Sequence, residues 1–119
     1  MTTKVAGFYI SDLAYQPIVD LDPDFTAIIK DMHIRPVKES WNEALFSPEY
    51  WAELKNGLTE IGGFLSSFGP LRSLALVERK PLGPDQLYLY RMTYNEKSLL
   101  VSVTRNSSGK IVSSSAKED

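Results

Sequence analysis

The sequence predicts a single α+β domain, in which helices from the first half of the chain pack on a curved four-stranded antiparallel meander from the second half. One observation is a change of hydrophobic period, from helical spacing before Leu71 to strand-like segments after it. Two further observations are a pair of helix starts that contain proline and a series of short turns between the later apolar runs. With 119 residues, 43% of them hydrophobic, the chain has the size and composition of one globular domain.

Two helix starts can be read directly. Asp22 and Ser47 are N-cap acceptors, and each is followed by a proline, which is favoured at the first helical position. The first helix is predicted over residues 23–32. It should end before Pro36, because the residue that precedes a proline is pushed out of the helical region.

A longer helical segment is predicted after Ser47 and is stopped by Pro70. Its apolar side chains recur every three or four residues, so we expect them to form one stripe that is buried against the sheet. Glycine costs about 1 kcal/mol relative to alanine inside a helix, so a break or kink is expected near Gly57 or near residues 62–63. The stripe consists of Trp51, Leu54, Leu58, Ile61, Leu65 and Phe68.

The second half contains four segments rich in strand-forming residues, joined by connections short enough for hairpins. Tyr88, Tyr90 and Tyr94 alternate onto one face of the second segment. Both faces of the strands carry apolar residues, so we expect helices on one face. The other face is expected to meet a partner subunit or domain, or else to expose scattered apolar groups. The segments span residues 71–80, 86–94, 98–105 and 110–115.

The domain boundaries are predicted from composition. Residues 1–20 are assigned to an N-terminal arm or linker, residues 21–115 to the α+β domain, and residues 116–119 to a frayed tail. Within the arm, residues 5–20 are ambiguous between a short helix and a strand. The fraying is expected to begin near residue 113, where a polar, serine-rich stretch starts.

Charge and composition narrow the classes of partner. Thirteen basic against fifteen acidic residues give a net charge of −2, which provides no field for a nucleic-acid backbone or an anionic membrane. The sequence shows neither a membrane-length apolar run nor a secretory signal peptide. We expect a soluble chain without nucleic-acid or membrane partners, exported only if it is excised from a longer precursor. The absence of cysteine excludes thiolate metal sites but leaves the compartment open.

Three architectural segments carry a resemblance to known proteins: FGPL at residues 68–71, YRMTY at 90–94 and SGKI at 108–111. With helices followed by four meandering strands, they resemble the cystatin-like or NTF2-like α+β roll. More narrowly, residues 45–115 resemble the small C-terminal domain attached to bacterial serine-β-lactamase-related hydrolases, and residues 11–31 resemble the linker before it. The resemblance implies a fold, and a serine-hydrolase-like catalytic domain as a partner, more than an activity. A domain cut from such an enzyme and a short stand-alone protein both fit.

Few residues could carry hydrolytic or metal chemistry. A serine hydrolase of the resembled class needs Ser-x-x-Lys at a helix start, and the one match, Ser107 with Lys110, falls in a predicted hairpin turn. Asn106 begins a formal glycosylation sequon in the same turn, which we interpret as turn chemistry. His33 is the single histidine, and we expect it to be a solvated or capping side chain. We therefore expect no catalytic residue, no metal and no cofactor.

Aromatic residues provide the remaining candidate site. Isomerases and cyclases of the resembled roll pair a buried carboxylate with tyrosine hydroxyls, and Asp31 or Glu43 could supply that carboxylate. Tyrosines that alternate along a strand are also the ordinary filling of a concave sheet, so a core role is expected first. A ligand pocket, if present, should lie between the helices and the sheet. Its predicted residues are Trp41, Trp51, Tyr88, Tyr90 and Tyr94.

Two functional hypotheses follow. The first is a non-catalytic accessory or interaction domain of a bacterial protein, which pairs through its sheet face with a second copy of itself or with a hydrolase domain. The alternative is a small-molecule-binding roll that is isomerase-like or cyclase-like. A closed pocket that holds a desolvated carboxylate within hydrogen-bond reach of a tyrosine would favour the alternative.

Overall fold

The computed structural model describes residues 16–119. Within this part of the chain, the α-helices are α1 (Pro23–Ile34), α2 (Val37–Ser40), α3 (Pro48–Leu54) and α4 (Leu58–Ser66). Short 3-10 turns lie at Glu43–Leu45 and Lys55–Gly57. The strands are β1 (Ser73–Leu82), β2 (Asp85–Thr93), β3 (Ser98–Arg105) and β4 (Ile111–Glu118). The predicted arm falls mostly outside the described residues, and residues 16–20 form no regular element. None of the described helices combines the length and apolar character needed to cross a bilayer.

The strands form one open antiparallel sheet in the order β1-β2-β3-β4, which confirms the predicted α+β class and the meander. The first and last hairpins turn at Gly83 and Gly109. Their φ angles of +62° and +82° lie in the left-handed region, which glycine adopts without strain. Strand β3 begins and ends where the sequence predicts.

Strand β4 corrects the predicted frayed tail. It pairs with β3 along its length, so residues 113–118 belong to the sheet. The Asp119 backbone N–H donates to the Ser98 carbonyl oxygen at 2.9 Å, and Arg91 Nε donates to the Asp119 carboxylate at 2.6 Å. The serine-rich composition suggested a loop. Pairing with β3 nevertheless satisfies the backbone N–H and C=O groups of these residues, whichever side chains they carry.

Helix α1 supplies the centre of the helical layer. It begins at Pro23, as predicted, and ends at Ile34, because Arg35 takes extended backbone before Pro36. Its buried residues recur at helical spacing and join the main core. They are Phe25, Ile29 and Met32.

The second predicted helix is interrupted near Gly57, as expected, where the 3-10 turn Lys55–Gly57 separates α3 from α4. Its apolar stripe packs against the core, as predicted, but every residue of the stripe is only partly buried. The physical reason is the short length of both helices. Because α1 and the sheet already fill the centre, α3 and α4 cover the margin of the core.

The inner face of the sheet carries the main core. Tyr88, Tyr90 and Tyr94 share this face, as the alternation predicts, and are at most 4% exposed. The Phe25 ring of α1 packs on Tyr88 with centroids 4.8 Å apart. This burial of aromatic and aliphatic surface is the main source of the fold's stability. The other buried strand residues of this core are Leu76, Met92, Leu99, Val101, Val103 and Ile111.

The outer face carries a separate apolar cluster of Val77, Leu89 and Leu100, which we call the outer cluster. No described helix contributes to it. Apolar residues on both faces were predicted. The three side chains are nevertheless only 3–9% exposed, so the cluster presents little apolar area to solvent.

Candidate functional site

A β-bulge in β1 determines which side chains reach the inner face near the end of the sheet. The register with β2 shifts between Leu76 and Glu78, so Val77 is an extra residue without its own partner. An extra residue reverses the alternation of every side chain that follows it. Arg79 therefore lies opposite Tyr88, on the inner face.

A second register shift lies at the same end of the sheet, between Thr104 and Arg105 of β3. It leaves Val112 of β4 without a partner, whereas the register of β3 with β2 stays regular, so Arg105 keeps the face of Val103. Arg105 and Arg79 therefore share the inner face beside the first and last hairpins. The chain that precedes α1 brings Asp22 to them. We call Asp22, Arg79, Tyr88 and Arg105 the arginine cluster.

The Asp22 carboxylate lies at the centre of the arginine cluster. Arg79 Nε donates to Oδ2 at 2.8 Å, and the Tyr88 hydroxyl donates to the same oxygen at 3.0 Å. Arg105 Nη2 lies 3.5 Å from Oδ1 and donates to the Tyr88 hydroxyl oxygen at 2.7 Å. Asp22 holds the N-cap position of α1 but makes no side-chain cap. Its carboxylate instead joins the start of the helix to the end of the sheet.

Aromatic rings lie against both guanidinium groups. Arg105 lies 4.2 Å from the ring centroid of Phe25 and 5.3 Å from that of Tyr88. Arg79 lies 5.7 Å from the centroid of Tyr88. Such cation–π contacts are attractive, because the face of an aromatic ring carries partial negative charge. The two arginine side chains remain 30% and 26% exposed, so both can still meet solutes.

The arginine cluster keeps Asp22 ionised. Partial burial alone would raise the pKa of its carboxyl, but hydrogen bonds from Arg79 and Tyr88, with the charges of Arg79 and Arg105, outweigh burial and lower it. The hydrogen bond to Asp22 in turn raises the pKa of Arg79. A carboxylate with a lowered pKa accepts protons poorly near neutral pH, where a general base needs a matched pKa. The geometry therefore suits ligand binding or stabilisation of the fold better than proton transfer.

The other two tyrosines of the inner face are neutral core residues. Burial raises the pKa of Tyr90 to about 12, and its hydroxyl shares a 3.0 Å hydrogen bond with Thr26. Burial also raises the pKa of Tyr94, whose buried hydroxyl has no hydrogen-bond partner among the described residues.

A cavity of about 220 Å³ lies between the helices and the last two strands, and we call it the interlayer cavity. The apolar wall on the helical side includes Ile29 and Trp41. The wall on the sheet side includes Val101 and Val103. The Trp41 ring is fixed by its Nε1–H, which donates to the Met32 carbonyl oxygen at 2.7 Å.

The residues that line the interlayer cavity include His33, Tyr50 and Ser114, which carry polar side chains. The Tyr50 and Ser114 hydroxyls share a 2.8 Å hydrogen bond. His33 Nδ1 donates to the Ile29 carbonyl oxygen at 2.8 Å, so its Nε2 is the acceptor of the neutral ring. Burial lowers the pKa of His33, and the bond to Ile29 offsets only part of that effect. His33 is therefore neutral at neutral pH and caps a backbone carbonyl.

The five residues predicted to line one pocket lie in different places. Trp41 lines the interlayer cavity. Trp51 packs half-buried at the margin of the core, and Tyr90 and Tyr94 lie within it. Tyr88 belongs to the arginine cluster. The structure thus does not bring these five side chains around one cavity.

The carboxylates predicted to pair with tyrosines lie at the surface. Asp31 pairs with Arg35 at 3.0 Å, and Glu43 is exposed in its 3-10 turn. The carboxylate that does reach a tyrosine is Asp22, which sequence reasoning had assigned to a helix cap. Its proximity to Arg79 has no signal in the sequence, because it depends on the bulge.

The turn between β3 and β4 has the predicted local chemistry. Asn106 Oδ1 accepts the backbone N–H groups of Ser108 and Lys110 at 3.0 and 2.9 Å. Lys110 Nζ donates to the Ala44 carbonyl oxygen at 2.6 Å. This hydrogen bond holds the lysine amine at a backbone carbonyl instead of at the Ser107 hydroxyl. Among residues 16–119, no three His, Asp or Glu side chains are placed to hold a metal ion.

No protein-family model, no curated protein and no solved structure matches this chain. The described fold, with helices on an open four-stranded antiparallel sheet, is compatible with a roll.

The protonation of His33 should affect stability in a defined pH window. Its folded pKa lies below the ordinary value of 6.5, so below pH 6.5 the unfolded chain binds more protons than the folded one. The free energy of unfolding should therefore decrease as the pH falls through 6.5 towards the folded pKa. His33→Gln should lack this decrease. Because the chain has one histidine, urea unfolding at pH 8 and pH 5.5 isolates the effect. A stability difference between wild type and variant that is equal at both pH values would contradict the assignment.

Proposed function

We propose that this chain is a non-catalytic binding module, and that its ligand is a small apolar molecule held in the interlayer cavity. The single observation that carries the proposal is the cavity itself, which is lined mainly by apolar side chains of α1, α4, β3 and β4. Binding sites typically combine such walls with a few polar groups that orient the ligand. The Tyr50–Ser114 hydroxyl pair and His33 are the polar groups available here.

The cavity volume limits the size of the ligand. About 220 Å³ is below the usual range for drug-sized ligands but above the roughly 150 Å³ of an apolar cavity that binds benzene. A single or fused aromatic ring fits this volume. A ring with one N–H or O–H group could donate to His33 Nε2, which is an acceptor in the neutral side chain.

The arginine cluster favours binding over an isomerase-like or cyclase-like reaction. Such reactions need a desolvated carboxylate that exchanges a proton near neutral pH. The carboxylate that contacts a buried tyrosine is Asp22, and its pKa is lowered by hydrogen bonds and by two arginine charges. These interactions favour a structural role for the Asp22 carboxylate, which joins α1 to the sheet.

The resemblance to the small domain of serine-β-lactamase-related hydrolases is part of the proposal. It is supported at the level of an α+β fold with an open four-stranded meander. In that setting the module would be an accessory to a catalytic domain.

The cavity can be tested with indole as the probe. Both Ala116 on β4 and Ala52 on α3 are exposed, but Ala116 lines the cavity and Ala52 does not. We expect saturable binding of indole to the wild type by calorimetry. Ala116→Leu should weaken it by about tenfold or more, because the added carbons occupy cavity volume. Ala52→Leu is the matched control and should bind like the wild type. Absence of saturable binding, or equal affinities for the two variants, would refute the proposal.

A second candidate function is pairing with another copy of the chain through the outer face of the sheet. The favouring observation is the outer cluster, to which no described helix contributes. Because its residues are already 3–9% exposed, added burial would come mainly from the small polar side chains around it. We therefore expect a weak dimer, in which Ser102 and Ser115, hydrogen-bonded at 2.7 Å, allow close approach.

Light scattering across a dilution series tests this pairing. The apparent mass should exceed 13.4 kDa at high concentration and fall on dilution. Ser102→Glu places a charge at the proposed interface and should abolish the increase. Thr59→Glu adds the same charge at an exposed position of α4 and should not. A mass of 13.4 kDa at every concentration would rule out self-pairing and leave a hydrolase-like domain as the proposed partner.

A further inference from the structure

A basin of about 440 Å³ lies beside the arginine cluster, between the first and last hairpins. Arg79, Arg105, Gln86 and Tyr88 line it from the inner face of the sheet. It is lined by none of the residues of the interlayer cavity, so its chemistry is independent of the function proposed above.

The two arginines keep hydrogen-bond donors that the described residues do not use. Arg79 uses Nε for Asp22, and Arg105 uses Nη2 for the Tyr88 hydroxyl and Asp22. A guanidinium group has five N–H donors in a planar fork. Among residues 16–119, no hydrogen bond uses the Nη groups of Arg79 or the Nε and Nη1 groups of Arg105, so these are the donors proposed for a ligand.

Gln86 provides an independent indication that the basin lacks an acceptor. Its side-chain nitrogen Nε2 is buried and has no hydrogen-bond partner among the described residues. Buried polar groups are nearly always paired, and an exception needs an explanation. An acceptor that enters the basin from solution would supply the missing partner.

The charges at the basin favour an anion. Two guanidinium groups face the single Asp22 carboxylate, so the arginine cluster keeps a net positive charge. Asp85 also lies at the rim, but strand alternation places it on the opposite face from Gln86. Asp22 itself demonstrates the complementarity, because its carboxylate already accepts a hydrogen bond from Arg79.

We infer that the basin binds the oxyanion group of a small molecule, a carboxylate or a phosphate, through Arg79, Arg105 and Gln86. Arginine forks bind both groups with paired charge-assisted hydrogen bonds. The negative charge of Asp22 repels an incoming anion and partly neutralises the two arginines, so it lowers the affinity. The bulge at Val77 is what makes the site possible, since it places Arg79 on this face.

The test is a titration followed by amide chemical shifts, with inorganic phosphate or acetate as the probe and chloride holding the ionic strength constant. We expect saturable shifts confined to the two hairpins and to the strand positions that flank the basin. Tighter binding of phosphate would assign the site to phosphate-bearing ligands, and equal or tighter binding of acetate to carboxylates. Absence of saturation with both probes would overturn the inference.

Amino-acid substitutions distinguish a specific anion site from nonspecific electrostatic attraction. Arg79→Gln should weaken binding by about tenfold, and Arg105→Lys, which keeps the charge but loses the fork, should also weaken it. Arg72→Gln removes an exposed arginine at the other end of β1 and should bind like the wild type. Asp22→Asn should bind several-fold more tightly, because the negative charge that opposes the anion is removed. Circular dichroism confirms that each variant is folded. Equal losses in Arg79→Gln and Arg72→Gln, or weaker binding in folded Asp22→Asn, would contradict the site.

Discussion

The bulge at Val77 is the constraint on which the arrangement of the sheet's open end depends. A regular β1 would place Arg79 on the outer face, away from Tyr88 and Asp22. With the extra residue, Arg79 lies on the inner face and holds the Asp22 carboxylate at 2.8 Å. This ion pair fixes the start of α1 over the strands. The position of α1 then determines how the helical layer meets the core.

The aromatic inner face explains why the interlayer cavity and the basin lie at its margins. Tyr88 and Tyr90 stack nearly parallel, and Phe25 of α1 covers them, so the centre of the layer is closely packed. The half-buried α3 and α4 fill the margin less completely, and the interlayer cavity remains there. The arginine cluster occupies the other margin. The interlayer cavity is therefore mainly apolar, whereas the basin beside the arginine cluster is lined by the charged side chains of Arg79 and Arg105.

Features that depend on local sequence could be predicted, and features that depend on register could not. The start of α1 at Pro23, the break near Gly57 and the shared face of the tyrosines follow from backbone preferences and strand alternation. The arginine cluster does not, because an inserted residue in β1 has no distinct signature and reverses the faces after it. The extent of β4 was underestimated because its serines favour turns, whereas pairing with β3 depends on backbone groups. How far the stripe around Leu58 is buried depends on helix length, which periodicity alone does not define.

The central claim is that Asp22 and Arg79 interact across the boundary between α1 and the sheet. A double-mutant cycle measures it most directly, with urea unfolding of the wild type, Asp22→Asn, Arg79→Gln and the double variant. The account predicts that the effects of the two substitutions on the free energy of unfolding are not additive, because each one removes the same hydrogen-bonded ion pair. Additive effects of the two substitutions, with no coupling, would contradict it.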